Sequence, residues 1–118
     1  MFKIKNNRTI KEINKIENDY SNNKISEEEY NEFVKEFKEV GYWRKNWELN
    51  DYIQNNIWRK QIDYNPDIEF NCIYVELSIK DLNDIKSYFK KDKYTVEIIN
   101  DILKNLKEEE RVLYFGYY

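Results

Sequence analysis

The side chains on which most enzymes rely are scarce in this chain of 118 residues, which has no histidine and a single cysteine, Cys72. Without histidine, the usual general base, the usual metal ligand and any Ser-His or Cys-His pair are missing. One cysteine cannot build a structural zinc site. The two glycines, Gly41 and Gly116, are isolated and form no glycine-rich phosphate loop. The sequence therefore predicts a protein that is not an enzyme and that uses no metal or cofactor.

Carboxylates are the remaining candidates for acid–base or metal chemistry, and they form two sets. Asp63, Asp67 and Glu69 lie in a segment that lacks the fixed spacing of a calcium-binding loop. We interpret them as solvated loop charges, with a metal site as the alternative. The second set runs along a predicted helix and consists of Glu27, Glu28, Glu29, Glu32, Glu36 and Glu39. It is either an ordinary solvated face or a surface that mimics nucleic-acid phosphates toward a basic partner.

Aromatic and basic side chains are concentrated in a further set near the middle of the chain. Its members are Tyr42, Trp43, Arg44, Lys45 and Trp47, and a shorter run of the same residue types follows at Trp58, Arg59 and Lys60. Trp and Arg are enriched at binding hot spots, and on a helix Trp43 and Trp47 would share one face. Two interpretations follow. The rings are either core residues with basic stems lying along them, or exposed anchors that fill a partner's pocket or stack on a base.

Capping signals predict two helices at the start of the chain. Thr9 can cap the first helix, and Ser26 followed by Glu29 is a capping box that begins the second. Residues 9–40 therefore indicate a helical hairpin, with Gly41 as its C-cap.

The second part of the chain, residues 42–118, combines helical and strand patterns. In chain order we predict a helix from about 42 to 57, an irregular segment to 71 with a strand near 68–70, a strand at 72–77, a helix capped by Ser78, a helix opened by Thr95, and a strand at 112–118. The strand 72–77 is expected to pair with 112–118 across the two intervening helices. The prediction is an α+β, helix-rich single domain of residues 1–118, with an N-terminal helical hairpin and a small antiparallel sheet of two or three strands.

The central aromatic-basic motif also resembles a known family. Tyr42-Trp43-Arg44-Lys45, followed by Leu49 and Tyr52-Ile53, is similar to the central helix of a family of small phage and prophage proteins. Further residues stand at intervals that match this family: Cys72, Leu77, Ser78, Asp81 and Leu82, and the run Phe115-Gly116-Tyr117-Tyr118. The chain departs from the family at Asn46-Trp47, where relatives have Ala-Asn, and at Tyr52-Ile53, where they have Trp-Phe. The resemblance implies a mobile-element context and no particular reaction.

Charge and composition complete the functional expectation. The net charge is −3, which gives no general attraction for nucleic acid or anionic lipid. The single cysteine fits a reducing cytoplasm, residues 1–5 lack the apolar core of a signal peptide, and no apolar run is long enough to span a membrane.

We therefore expect a cytoplasmic phage-type protein in a bacterial host cell. It would act by protein–protein binding as an inhibitor of a host or defence factor, such as an anti-CRISPR or a similar anti-defence protein. The alternative is a nucleic-acid or nucleotide-binding module that uses the Trp, Arg and Lys set. The eleven tyrosines leave a homodimer open.

Overall fold

The computed structural model describes residues 1–5, 8–43, 46–61, 70 and 73–116. Its helices are α1 (Ile10–Ser21), α2 (Glu27–Val34), α3 (Trp47–Ile53, continued by a π-helical turn Gln54–Trp58 and a last turn Arg59–Gln61), α4 (Ile79–Tyr88) and α5 (Lys93–Asn105). Its strands are β1 (Phe2–Ile4), β2 (Lys38–Glu39), β3 (Ile73–Leu77) and β4 (Arg111–Gly116). The predicted α+β class is confirmed, and the sheet has four strands rather than two or three.

The strands form one antiparallel sheet in the order β2-β1-β4-β3. In the predicted pairing of β3 with β4, Leu77 lies opposite Val112. On the other side of β4, β1 places Phe2 opposite Leu113. The sequence does not predict β1 or β2, because strands of three and two residues are too short to show a recognisable alternation.

Helices cover both faces of the sheet. Val112 and Tyr114 face a large hydrophobic core that includes buried residues of α3, α4 and α5. Leu113 and Phe115 point the other way, into a smaller core shared with α1 and α2. A strand that is covered on both faces has apolar residues in succession. This explains the uninterrupted apolar run of β4.

The N-terminal hairpin is shorter than predicted. Thr9 and Ser26 cap α1 and α2 as expected, since their hydroxyl oxygens accept hydrogen bonds from the backbone N–H groups of Glu12 and Glu29. Helix α2 ends at Val34, however, and the chain then enters β2.

Gly41 is not the C-cap of α2. It follows β2, where the backbone N–H groups of Val40 and Gly41 both donate to the Met1 carbonyl oxygen, at 2.9 and 3.3 Å. A Cβ atom added at Gly41 would lie 2.7 Å from Cγ2 of Ile98. Close packing of the backbone against α5 therefore requires glycine at this position.

Helix α3 begins at Trp47 rather than near residue 42. Asn46 is its N-cap, and the Asn46 Oδ1 accepts a hydrogen bond from the Leu49 N–H at 3.1 Å. The helix also extends into the segment predicted to be irregular, through a π-helical turn that places both Ile57 and Trp58 in the core. The strand predicted near 68–70 lies outside the described residues except for Phe70, which belongs to no strand.

The last two helices follow their capping residues. Ser78 forms the predicted capping box of α4, in which its hydroxyl accepts from the Asp81 N–H and the Asp81 carboxylate accepts from the Ser78 N–H. Helix α5 begins at Lys93 with Asp92 as its N-cap. Thr95, which was expected to open this helix, therefore lies inside its first turn.

Side chains close the outer edge of β3. The Asn14 amide on α1 accepts a hydrogen bond from the Tyr74 N–H at 2.7 Å and donates one to the Tyr74 carbonyl at 2.9 Å. Gln61 at the end of α3 donates to the Glu76 carbonyl at 2.7 Å. These amides occupy backbone groups to which a further strand would otherwise pair.

Candidate functional site

Trp43 is a core residue and not an exposed anchor. Its side chain is 7% exposed, and its indole Nε1–H donates to the Thr95 hydroxyl oxygen at 2.9 Å. The Thr95 hydroxyl in turn donates to the Asp92 carboxylate at 2.8 Å. This buried series of hydrogen bonds fixes Trp43 against the first turn of α5, so the prediction that Trp43 contacts a partner is corrected.

Trp58 is also a core residue. Its ring lies 4.9 Å from the ring of Phe70, which packs directly over Gly116. The prediction that Trp58 contacts a partner is therefore corrected too. Arg59 and Lys60, which follow it, are exposed in the last turn of α3.

Tyr42 and Trp47 are the exposed aromatic members of the predicted set, at 61% and 46%. Tyr94 on α5 lies beside Tyr42, because its hydroxyl donates to the Tyr42 carbonyl oxygen at 2.6 Å and its own side chain is 55% exposed. The Tyr94 ring also packs edge-on against Trp43, with 6.3 Å between the ring centroids. The two basic residues between Trp43 and Trp47, Arg44 and Lys45, lie outside the described residues.

A second aromatic group lies at the end of α4. Tyr88 is 68% exposed and packs against Tyr52 of α3, with 4.6 Å between the ring centroids. Partial burial raises the pKa of Tyr52, and the carboxylates of Asp84 and Asp81 raise it further.

The turn between α4 and α5 joins these two aromatic groups, and three exposed lysines lie in it and at the first residue of α5. We call the whole the aromatic–lysine surface. It consists of Tyr42, Tyr52, Tyr88, Lys90, Lys91, Lys93 and Tyr94, and we include the exposed Trp47 because it lies on the same helix as Tyr52. Four of the five exposed large hydrophobic side chains of the described residues belong to it, and the fifth is Ile79 at the start of α4.

Sequence reasoning missed the part of this surface that comes from residues 88–94. That segment looks like a polar break between two helices, because its lysines interrupt the apolar pattern. The signal that could have identified it is the placement of a tyrosine at each end of a lysine-rich turn, at Tyr88 and Tyr94.

The acidic set does not form one helix face. Its first four members, Glu27, Glu28, Glu29 and Glu32, are exposed on α2. Glu36 lies beyond the end of α2, with its carboxylate 3.7 Å from Nε of Arg8, and Glu39 lies in β2. The prediction of a continuous acidic face through Glu39 is therefore corrected, because the helix ends before it.

Metal-binding chemistry finds no support in the part of the chain that the structure describes, where no group of three or more His, Cys, Asp or Glu side chains could hold a metal ion. The carboxylates considered for a metal site, Asp63, Asp67 and Glu69, lie outside the described residues, as does Cys72.

No protein-family model, no curated protein and no solved structure matches this chain. Across the described residues, no helix is both long enough and apolar enough to cross a membrane. Function must therefore be inferred from the side chains and their geometry.

Proposed function

We propose that this chain is a non-enzymatic binding protein that contacts a partner protein through the aromatic–lysine surface. The observation that carries this proposal is the clustering of exposed aromatic rings around one turn. Scattered exposed apolar residues are normal on a protein surface, whereas grouped ones indicate an interaction site.

The aromatic rings are suited to act as anchors. Burying a large side chain in a partner's pocket contributes about 1.5–3 kcal/mol, so two or three such rings supply much of the affinity of an ordinary complex. Two of the rings are already held in place, since Tyr94 is hydrogen-bonded to the Tyr42 backbone and Tyr88 packs on Tyr52. Such preorganisation lowers the entropy lost on binding.

The lysines indicate the character of the partner. Lys90, Lys91 and Lys93 are exposed between the two aromatic groups, while the chain as a whole has a net charge of −3. The positive charge is confined to this lysine-bearing segment, since Asp92 lies within it and Asp81 and Asp84 lie near Tyr52. The segment favours an acidic side chain of the partner at this point, because complementary charge raises the association rate and selects the orientation.

The finer role that we propose, inhibition of a host or defence factor by a phage-type cytoplasmic protein, is supported by the sequence resemblance around Tyr42-Trp43-Arg44-Lys45. The four exposed glutamates of α2 supply a second surface for such a role. A partner that binds nucleic acid would present a basic face to them.

A nucleic-acid-binding function is the second candidate, and the same surface favours it. Exposed aromatic rings can stack on bases while neighbouring lysines contact phosphates. Binding of this kind weakens steeply with salt concentration. If the wild type binds single-stranded oligonucleotides and the variant Tyr88→Ser/Lys91→Glu does not, nucleic acid is favoured over a protein partner.

A pair of charge-matched variants tests the proposal. Tyr88→Ser/Lys91→Glu alters the aromatic–lysine surface, and Lys11→Glu/Asn31→Ser makes the same change in charge at exposed positions of α1 and α2. Proteins captured from host lysate by the wild type are identified, purified and titrated against all three proteins. We expect the first variant to bind at least about tenfold more weakly, a loss of about 1.4 kcal/mol, and the control to bind like the wild type.

Two results contradict the proposal. One is equal affinity of both variants for the purified partner. The other is light scattering that shows a dimer for the wild type and a monomer for Tyr88→Ser/Lys91→Glu. The aromatic–lysine surface would then bind a second copy of this chain.

A further inference from the structure

A cleft of about 600 Å³ lies beside β1 and β2, and none of its described lining residues belongs to the aromatic–lysine surface. Its charged lining consists of Lys3, Lys5, Lys38, Lys107, Glu36 and Glu110. We call it the lysine cleft. Its volume is in the range of small-molecule sites, which is about 300–1,000 Å³, and four lysines against two glutamates leave its lining positive.

Sheet register brings the lysines together. Lys3 of β1 and Lys38 of β2 lie directly opposite each other, and Lys5 follows Lys3 by two residues along the chain. Lys107 enters from the connection between α5 and β4. Like charges directly opposite one another on a sheet are destabilising, and the Glu110 carboxylate beside Lys3 offsets part of this repulsion. A bound anion would reduce it further.

The two carboxylates of the cleft already have partners. Glu110 is buried, pairs with the Lys3 ammonium at 3.1 Å and accepts a hydrogen bond from the Lys107 N–H at 2.8 Å. Glu36 lies 3.7 Å from the Arg8 guanidinium. Within the described part of the chain, no carboxylate forms an ion pair with Lys5, Lys38 or Lys107.

The ionisation of Glu110 agrees with a positive cleft. Burial alone would raise the pKa of this carboxyl group. The hydrogen bond from the Lys107 N–H, the bond from Lys3 and the charges of Lys3 and Lys5 outweigh burial, so the pKa lies below its usual value. Glu110 is therefore charged at neutral pH and pairs with Lys3, and among the residues that the structure describes the other three lysines of the cleft form no ion pair.

We propose that the lysine cleft binds a compact polyphosphate, either inorganic or as the phosphate chain of a nucleotide. Each ammonium group is a compact charge with three donors that can be directed at phosphate oxygens. The described lining residues include no arginine, whose planar guanidinium is the group best matched to carboxylates. Several ammonium groups that form no ion pair with any described residue, arranged around one concavity, fit a ligand that carries several negative charges.

Calorimetric titration with tripolyphosphate at about 0.15 M salt, where exposed charges are well screened, tests this inference. Lys38→Gln/Lys107→Gln is compared with Lys11→Gln/Lys24→Gln, which removes the same charge at exposed positions outside both the cleft and the aromatic–lysine surface. We expect saturable binding that weakens at least about tenfold in the first variant, a loss of about 1.4 kcal/mol, and hardly changes in the second. Equal weakening in both variants, or no saturable binding by the wild type, would overturn the inference.

A third variant is expected to bind tripolyphosphate more tightly than the wild type does. Glu110→Gln removes a negative charge from the cleft while its amide oxygen can still accept from the Lys107 N–H. We expect tighter binding of tripolyphosphate, and unchanged or weaker binding by a variant that remains folded contradicts the proposed site.

Titration with ATP separates the two sources of the ligand. Similar affinities for ATP and tripolyphosphate indicate that only the phosphates are recognised, and tighter binding of ATP adds a contribution from the nucleoside. Binding of single-stranded oligonucleotide without binding of tripolyphosphate contradicts the inference and indicates a nucleic-acid surface instead.

Discussion

Trp43 and Trp47 are four residues apart, and they lie in opposite environments. The indole of Trp43 is fixed in the core by its hydrogen bond to Thr95, whereas Trp47 begins α3 with about half of its surface exposed. Helix α3 starts only after Asn46, so the two rings do not share a helix face. Of the two, only Trp47 can present a large surface to a partner.

Replacing each of these two residues should show which one supports the stability of the fold and which one lies at the surface. Trp43→Ala removes a buried aromatic side chain and should lower the free energy of unfolding by about 3–5 kcal/mol. Trp43→Phe keeps most of the ring but loses the indole donor to Thr95, which should cost about 1 kcal/mol for the hydrogen bond, with a further cost for lost volume. Urea denaturation monitored by circular dichroism measures both changes.

Trp47→Ala is the matched control, with an expected loss of less than about 1 kcal/mol because the side chain is half exposed. A loss as large as that of Trp43→Ala would show that Trp47 also supports the fold. Trp47 would then be unsuitable as a separable binding anchor.

At the scale of elements, the two edge strands of the sheet are protected from pairing with another chain in different ways. The edge strand β2 has only two residues, both charged, whereas β3 has five and is protected by the amides of Asn14 and Gln61. Short charged edges and covered edges both prevent pairing with a second chain.

Replacement of Asn14 tests this protection. Asn14→Ala leaves the N–H and carbonyl of Tyr74 without their partners, and each unsatisfied group that stays buried costs about 1–3 kcal/mol. We expect lower stability and concentration-dependent association, measured by urea denaturation and static light scattering.

Asn14→Asp distinguishes the two hydrogen bonds. It keeps an acceptor for the Tyr74 N–H but places a negative charge beside the Tyr74 carbonyl, so it should also be destabilising. A variant Asn14→Ala that remains monomeric and as stable as the wild type would show that α1 protects the edge without this amide.

Elements with their own local signals could be predicted from the sequence. Helices α1, α2 and α4 begin at Thr9, Ser26 and Ser78, whose hydroxyls satisfy the first free N–H groups of each helix. The start of α3 also has a local cap, Asn46, whose Oδ1 accepts from the Leu49 N–H. The residues before Asn46 favour an earlier start by their spacing, but Trp43 lies in the core, bonded to Thr95 far along the sequence, and such a tertiary contact is not visible in local helix propensity.

At the scale of the whole molecule, positive side chains gather at two separate places on a chain that is acidic overall. One is the aromatic–lysine surface and the other is the lysine cleft. Neither could be predicted in full. The sequence identifies Tyr42 and Trp47, but Tyr88 and Tyr94 join them only through the packing of α4 and α5, and Lys3 meets Lys38 only through sheet register.

The stability of the whole molecule should depend on pH near neutrality through one group. The Met1 amine donates to the Gly41 carbonyl at 2.6 Å, and burial lowers its pKa from 8.0 to about 6, against a smaller opposing effect of Glu39. The unfolded chain therefore binds this proton more tightly than the folded protein. Stability should rise as the pH increases from 6 to 8, by on the order of 2–3 kcal/mol for two pKa units.

Chemical denaturation at a series of pH values measures this rise. The chain has no histidine, and no other side-chain type has an ordinary pKa between 6 and 8. Protein that is acetylated at the N-terminus cannot take up the proton, so its stability should be nearly constant across this interval. An equal rise in the acetylated protein would assign the effect to another group.

The position of β4 at the centre of the sheet has a consequence for the order in which the structure can form during synthesis. β4 is the last of the four described strands, and it pairs with both β1 and β3. While the ribosome makes the first hundred or so residues, α1 and α2 can form through local contacts, but β1 and β3 have no central strand to join them. The apolar faces of both cores therefore stay incompletely covered until Arg111–Gly116 emerges, and this interval is when the chain is most exposed to aggregation and to chaperones.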